Sequence, residues 1–537
     1  MESTRRTPSI SLGASLAGLL VLPWLALTFL GNQLLGLPFP PFVLFDWIAR
    51  TLPGGLITFG IDSIVAVVDG LGIGPISETT KTVERIIALV IFFGILTIIG
   101  TWIAFRARKQ DRVKSNTALL WILGLSMVML LLNASLGFEP VGFLASAFWY
   151  LMLFAAWFLM LFWLFQLAPS ALSEEPDAPM SRREFIYLVG GGIVTIGVGS
   201  LAITRLMNGS DTGGESSNII QLSDLEQTSG QAASPSTDEL QNRIEPVPGT
   251  RAEITQQGKF YNVDINALPP SVDGESWRLT FDGLVNNPTE YSLDDLRSKR
   301  SVSQAITLSC ISNPIGGDLI STAVWTGVPL KDILEEVRPQ DQAVEIRMQA
   351  EDGFYESISL EDAMDPRTLL VYEMNGEPLP QEHGYPLRIY IPDRYGMKQP
   401  KWIVSMEAID REGDGYWVDR GWSEEAYVRT TSVLDSAATG SSDGGVIPIG
   451  GIAYAGAKGI SKLEVQIDDG SWQEAQLRIP ALSPLTWVQW RFNWPSEPGR
   501  HTARVRAYDG AGQLQIVGQN GARPDGATGI HELTFTV

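Results

Sequence analysis

The chain reads as an α-helical membrane segment followed by an α+β domain and a C-terminal β-sandwich. Three observations carry this reading. Apolar stretches long enough to cross a bilayer crowd the first 207 residues, short β-type runs and helices then mix to about residue 430, and beyond that only β-type runs separated by turn signals remain. A length of 537 residues leaves room for about three units at roughly 100–200 residues each. With 45% apolar and 18% charged residues the chain is too apolar for a disordered one.

Charge divides the chain in the same way. Residues 1–207 hold 13 of the 39 Lys+Arg and 12 of the 60 Asp+Glu, so the net charge of −21 falls on the remainder. So acidic a chain offers no surface for a polyanion, and nucleic acid is not expected as a partner. A single cysteine, Cys310, excludes an intrachain disulfide and any cysteine-rich zinc or iron–sulfur site.

Apolar stretches at about 10–30, 84–105, 118–136, 141–168 and 188–206 each reach the roughly 20 residues that a ~30 Å hydrocarbon layer requires. Arg5 and Arg6 precede the first, and Arg106, Arg108, Lys109, Arg112 and Lys114 fill the connection between the second and third. By the positive-inside rule these connections are cytoplasmic, which puts 31–83 and everything after the fifth span outside. Phe42 to Gly72 is broken by Asp46, Arg50, Pro53, Asp62 and Asp69 and reads as amphipathic helices on the outer surface, with an extra pair of spans as the competing reading. All three histidines, His383, His501 and His531, lie downstream of the spans, so no haem is expected in this chain and electrons must pass to a separate partner, a cytochrome or a quinone-linked protein. Few ionisable residues interrupt the spans, which disfavours a transporter.

Ser181-Arg182-Arg183-Glu184-Phe185-Ile186, followed by the glycine-rich run Leu188 to Ile203, resembles a twin-arginine export signal. Two arginines before a span also suit an ordinary anchor; the Ser, the Phe and the glycines favour export, and both readings leave the C-terminal half outside. Residues 181–206 thus close a membrane domain over 1–207, and the Gly/Ser/Thr/Gln/Asp-rich stretch 208–251 is expected to be a flexible tether. Past it, Trp277 to Phe281 alternates, Ser292 to Arg297 and Leu330 to Val337 have helical patterning, and Leu387 to Ile391 is a strand, giving an α+β domain over 252–430. Alternating segments near 462–467, 486–494, 502–508 and 531–537, separated by turns such as Asp468-Asp469-Gly470, give a β-sandwich over 431–537.

The chemistry-bearing residues cluster in the α+β part. Cys310 ends the β-type run Ala305 to Ser309 and opens Ile311-Ser312-Asn313-Pro314-Ile315-Gly316-Gly317. A lone cysteine is most often a small buried hydrophobe. Asn, Pro and paired Gly after a strand, however, are what a chain uses to turn sharply beside a ligand. Downstream, His383-Gly384-Tyr385-Pro386-Leu387-Arg388 and Gln399-Pro400-Lys401-Trp402 gather His, Arg and Lys in an otherwise acidic domain, a pattern that suits an anion such as phosphate; surface turns with ordinary charges are the alternative.

Together, Cys310 and its loop, Ala323-Val324-Trp325-Thr326-Gly327-Val328-Pro329-Leu330, Tyr372-Glu373-Met374-Asn375-Gly376, the His-Gly-x-Pro-x-Arg stretch and Lys401-Trp402 resemble the sulfite-oxidase superfamily of molybdopterin enzymes. The tail from Gly450 resembles that superfamily's immunoglobulin-like dimerisation domain, and the membrane segment lies outside the likeness. The resemblance implies a sulfite-oxidase-fold α+β domain, an immunoglobulin-like sandwich, a molybdenum–molybdopterin cofactor and a homodimer. It makes Cys310 the thiolate ligand to the metal. His383, Arg388, Gln399, Pro400 and Lys401 would hold the cofactor phosphate, and Tyr261, Asn262, Asn266, Asn313 and Asp352 would supply further cofactor contacts. Trp422 stands where the family has a tyrosine beside the metal, and Arg523 matches an arginine supplied by the last domain.

Departures from the family bear on the substrate. Two arginines that follow Asn313's equivalent in sulfite oxidases are Pro314 and Ile315 here, and a further arginine near 262–266 has no counterpart. A small dianion needs several converging cations, so sulfite is disfavoured against a neutral or bulkier oxygen-atom donor or acceptor such as a sulfoxide. The expected protein is a multi-pass enzyme of a prokaryotic cell membrane, its catalytic domain extracytoplasmic, acting on a small molecule by two-electron oxygen-atom transfer. The alternatives are a sulfite oxidase or dehydrogenase, and a membrane-tethered cofactor-binding or interaction module without catalysis.

Overall fold

The computed structural model describes residues 10–71, 76–110, 115–136, 141–171, 237–441 and 445–537. The chain divides into a helical unit, Met1–Leu52, Lys81–Asn218 and Ile265–Ser271, and a second unit, Pro53–Thr80, Ile219–Asp264 and Val272–Val537. The α+β and the all-β parts both lie within the second unit.

Helices α1 (Ile10–Leu35), α2 (Pro40–Thr51), α3 (Gly54–Leu71), α4 (Ile76–Gln110), α5 (Ser115–Ser135) and α6 (Phe143–Ala171) make up the N-terminal region. Three stretches, Ala14–Leu35, Thr79–Ile103 and Phe143–Leu164, are long and apolar enough to cross a membrane, and Leu119–Ser135 is a shorter apolar helix. The fifth expected span, 188–206, and the arginine pair before it lie outside the described residues. Where two helices of the helical unit approach closely, a small residue allows it: Gly100 lies so near Ala17 that an added Cβ would come within 2.5 Å of the alanine methyl, and Gly31 would meet Trp149 at 2.6 Å. Trp24 stacks on Phe92 at 5.6 Å and donates from Nε1 to Leu153 O at 3.0 Å. Ile98, Leu120 and Leu144 are at least 70% exposed, apolar surface that suits lipid better than water.

In the second unit the stretch expected to end a flexible tether is instead folded. Helix α7 (Thr237–Gln241) is followed by Arg243, which is 7% exposed and grips Glu253 through two bonds of 2.6 and 2.8 Å. Ten strands follow: β1 (Leu279–Gly283), β2 (Thr289–Tyr291), β3 (Val302–Ser309), β4 (Ile320–Pro329), β5 (Glu345–Ala350), β6 (Tyr355–Ser359), β7 (Leu369–Met374), β8 (Glu377–Pro378), β9 (Arg388–Tyr390) and β10 (Ile403–Ile409). They form one sheet in the order β2-β1-β10-β5-β6 and another in the order β3-β4-β7-β8 with β9 on β7. Helix α8 (Leu293–Arg297) starts where Ser292 and Asp295 close a capping box, and α9 (Leu330–Val337) buries Leu330, Ile333, Leu334 and Val337, an i, i+3, i+4, i+7 stripe. α9 packs with Phe281, Ile346 and Met406 into the larger of the unit's cores.

The last eight strands are β11 (Thr431–Ala437), β12 (Val446–Tyr454), β13 (Ile460–Ile467), β14 (Gln473–Glu474), β15 (Gln476–Leu477), β16 (Val488–Pro495), β17 (Arg500–Asp509) and β18 (His531–Thr536). They form two four-stranded sheets, β11-β12-β16-β15 and β14-β13-β17-β18. Leu434, Ile449 and Trp490 from the first share a core with Leu463, Val465 and Val505 from the second. The period-2 alternation of β17, buried at every second position, is what one face on a core and one on solvent demands.

The all-β part also covers the open edge of β3, the strand that leads to Cys310. Thr307 N–H donates to Leu485 O at 3.0 Å, Trp487 N–H donates to Thr307 Oγ1 at 2.9 Å, and Tyr454 O–H donates to Thr307 O at 2.9 Å. A bare edge strand would leave these groups to water or to another chain. Trp490 is 1% exposed at the centre of the β-core, so Trp490→Ala is expected to destabilise the second unit by about 3–5 kcal/mol, read as a lowered denaturation midpoint; an unchanged midpoint would contradict the shared core.

Candidate active site

The chain turns sharply at Cys310. Its N–H donates to Leu319 O at 2.9 Å, one residue past the end of β3, and the intervening loop is braced from within by Asn313, whose Oδ1 accepts from the Leu319 N–H at 3.0 Å. Gly316 has φ of +80°, and a Cβ there would collide with the ring of His531 from β18. Only glycine meets both conditions. Arg251 holds the same loop by donating to Gly316 O at 3.2 Å. Asn313 thus braces the loop through its side-chain oxygen.

Cys310 itself is 8% exposed, with its Sγ 3.0 Å from Ser312 Oγ and Leu319 and Tyr261 packed beside it. Burial pushes its thiol above the ordinary range. A sulfur so placed is inert as a free nucleophile and becomes a thiolate when a metal ion replaces its proton. Tyr261, packed beside Cys310, feels the charges of both Cys310 and Arg388.

That cluster is built on three local structures. The Gln381–His383 turn ends at Gly384, with φ of +114°, and carries His383; β9 carries Arg388; and the chain entering β10 carries Lys401. Arg388 is 6% exposed, donates from Nη1 to His383 O at 3.1 Å and lies over the Trp325 ring at 5.0 Å. Phe260 packs edge-on against both Trp325 and His383. Lys401 Nζ donates to Asn262 Oδ1 at 2.9 Å, Glu382 O at 2.9 Å and Asp264 Oδ2 at 3.3 Å, which uses its three protons.

The electrostatics follow from this crowding. Burial first, then the charges of Lys401 and Arg388, pull His383 down to about 3. Burial pulls Arg388 down to about 10 and Lys401 to about 8, although Asp264 works against it at the lysine. Among the described residues no carboxylate lies within ion-pair reach of Arg388. A buried guanidinium without a counter-ion is strongly unfavourable, so the residues fit an anionic group such as the phosphate of a molybdopterin.

The other expected residues divide. Asp352, 1% exposed, lies close enough to favour the charged form of Lys401. Gln399 donates to Arg394 O at 2.9 Å and leaves its Oε1 buried without a partner, while Pro400 O accepts from Ile389 N–H at 3.2 Å. Asn266 is not brought to the cluster: its side chain accepts from Arg50 at 2.7 Å in the helical unit. Trp422 shares an apolar cluster with Ile311 and Tyr395, and Arg523 lies over its ring at 4.7 Å. Trp422 Nε1 and two guanidinium nitrogens of Arg523, Nε and Nη2, are buried with no acceptor.

Sequence reasoning missed Asp264, which pairs with Lys401, and Tyr395, whose hydroxyl accepts from the Arg429 N–H at 3.1 Å and feels Cys310. It also missed the pair Lys398–Glu356, 2.5 Å apart and buried, which ties the segment before Gln399 to β6 and leaves Glu356 pushed up to about 7 by burial. Lys398 directly precedes the Gln399-Pro400-Lys401-Trp402 motif, but nothing local marks its partner 42 residues upstream.

The folded protein keeps His383 neutral down to about pH 3, whereas the unfolded chain protonates it near 6.5, so the unfolded state takes up the extra proton between those values. The histidine's contribution to stability is complete above the upper value. Cofactor-free protein is therefore expected to lose stability as pH falls through that window, and His383→Gln to flatten the loss; denaturation midpoints against pH check this, and identical slopes would contradict it.

Residues 266–417 match the family described as oxidoreductase molybdopterin binding domain. The chain is 30% identical to the mitochondrial sulfite oxidase of Mus musculus over 46% of its own length and 54% of that protein's. It is 31% identical to the putative protein-methionine-sulfoxide reductase subunit YedZ1 of Azospira oryzae over 28% of its own length and 56% of that protein's. It thus spans little more than half of the length of these relatives. Among solved structures, the sulfane dehydrogenase SoxCD of Paracoccus pantotrophus aligns with a TM-score of 0.47 at 20% identity, over 56% of this chain and 90% of that one. The cationic cluster and Cys310 fall inside the matched residues, and the chain carries an oxidoreductase molybdopterin-binding domain whose cofactor is molybdenum held by molybdopterin.

Proposed function

We propose that this chain is a membrane-anchored oxidoreductase that moves an oxygen atom to or from a small molecule, with Cys310 as the thiolate ligand of the metal and His383, Arg388 and Lys401 around the cofactor phosphate. When bound, the cofactor supplies a two-electron redox centre. The chain's own residues hold it, exclude water and choose the substrate. In this reading the last domain is immunoglobulin-like and makes a homodimer, the second unit lies on the extracytoplasmic side of a prokaryotic membrane, and a separate cytochrome or quinone-linked protein exchanges the electrons.

One observation carries the substrate class. Trp422 Nε1 and Arg523 Nε and Nη2 are buried donors with nothing to donate to, and three such donors on stacked side chains fit an acceptor oxygen on a molecule with an apolar part for the indole. Of the nearby arginines, Arg429 lies 3.9 Å from Asp525, and Arg251 pairs with Asp435 at 3.0 Å while its Nη1 is buried without an acceptor. A sulfite dianion would want several cations, whereas a sulfoxide or N-oxide presents one polarised oxygen. Sulfoxide chemistry is also what the Azospira oryzae relative's name carries.

Assayed with an artificial electron carrier, the purified protein is expected to turn over a sulfoxide or N-oxide faster than sulfite; the reverse ranking would overturn the substrate class. Arg523→Met is expected to lower kcat/KM about a hundredfold by removing donors to the substrate oxygen. Cys310→Ser is expected to abolish turnover with the circular dichroism spectrum unchanged, and full activity in that variant would defeat the assignment of the ligand.

A further inference from the structure

Two segments of the second unit meet at a buried ion pair, Glu356–Lys398, that the reaction as read above does not use. The first is the turn Gly396–Lys398. Gly396 lies so close to the end of β3 that an added Cβ would come within 2.9 Å of the Tyr261 hydroxyl and 3.6 Å of Ser309 O, and its neighbours Tyr395 and Met397 pack with Ile311 and Trp422. The second is the loop 413–422, which runs along β6, the last strand of its sheet. Ser357 Oγ donates to Asp414 O at 3.2 Å, Tyr416 N–H donates to Tyr355 O at 2.9 Å, and Tyr355 O–H donates to Asp419 Oδ2 at 2.6 Å. The loop ends at Trp422, whose N–H donates to Trp417 O at 3.1 Å.

Glu356 stands where this loop crosses β6, and a Cβ on Gly415 would come within 2.5 Å of its Oε1. That oxygen accepts from Lys398 Nζ at 2.5 Å and from Ser357 N–H at 3.0 Å. The two side chains are 1% and 8% exposed. A buried pair adds little net stability over apolar side chains of the same size, because desolvation offsets the attraction. What it adds is direction, since a charge-assisted hydrogen bond fixes one geometry whereas apolar surfaces slide.

We propose that Glu356 and Lys398 are positioning residues for substrate binding: their pair fixes the turn beside Cys310 against the loop that carries Trp422, and so sets where the indole stands relative to the sulfur. This rests on the reading of Cys310 as the metal ligand and of Trp422 as a donor to the substrate. Of the charged groups that face Glu356, Lys398 favours its ionised form and Asp419 disfavours it; burial outweighs the lysine and leaves the carboxyl at about 7. The pair is therefore complete above that value and is lost as pH falls through it.

The test is kcat/KM per bound molybdenum for methyl phenyl sulfoxide, with an artificial electron carrier, in the wild-type holoenzyme, in Glu356→Gln, and in the double variant Glu356→Gln with Lys398→Met, which leaves no buried charge unpaired. Wild type is expected to lose about fivefold as the pH falls from about 8 to about 6. Both variants are expected to lie about tenfold below wild type at the upper pH and to lack that loss. A pair that only stabilised the fold would lower the molybdenum content or the denaturation midpoint without moving the ratio per metal. Wild-type kcat/KM with the same pH loss in the double variant overturns this proposal alone, and so does a flat wild-type profile, whichever variants fold. Molybdenum-loaded wild-type protein that does not reduce the sulfoxide overturns it together with the functional reading on which it rests.

Discussion

A guanidinium withdrawn from water needs an anion, and Arg388 has none among the described side chains. Its ring platform, Trp325, stabilises the cation by a face contact. Its hydrogen bond to His383 O fixes its direction. Neither replaces a counter-ion in so dry a place. The surrounding residues do not supply one: His383 is held neutral, and Asp264 is taken up by Lys401, whose other protons go to Asn262 and Glu382 O. An anionic group held there would relieve the arginine, and the phosphate of molybdopterin suits that place in a domain of this family.

The same logic, with the sign reversed, applies at Cys310. A buried thiol whose proton is hard to remove is useful only to a group that replaces the proton, and the loop around it is held rigid from two directions. Asn313 braces it from inside, and Arg251 and His531 close on Gly316 from outside. Because the edge of β3 is bonded to residues 483–487, the position of the sulfur depends on the all-β part as much as on the sheet that carries it. Arg523, from the same all-β part, lies over the ring of Trp422.

Much of this was legible in the sequence, and the reasons are local. Helix α9 follows from its apolar stripe to the residue, and the strands β13, β16, β17 and β18 from their alternation. Cys310 at a strand end and the His383, Arg388 and Lys401 motifs were visible because each sits in its own short signature. What escaped depends on distant partners. Asn266 was read as a cofactor contact, but Arg50, 216 residues upstream, takes its side chain. Asp264 carries no signature and acquires its role only when Lys401 folds against it. The end of the tether was read as flexible from its composition, yet Arg243 and Glu253 pin it down through a pair that composition does not reveal. Residues 181–206 lie outside the described structure, and the export reading stays with the sequence.

In the proposed reading Cys310 binds molybdenum held by a cofactor anchored at Arg388. X-ray absorption at the molybdenum edge of the purified protein tests it most directly. About one molybdenum per chain is expected, with one sulfur neighbour fewer in Cys310→Ser than in wild type. A metal-free wild-type protein, or an unchanged sulfur shell in the variant, would contradict the account.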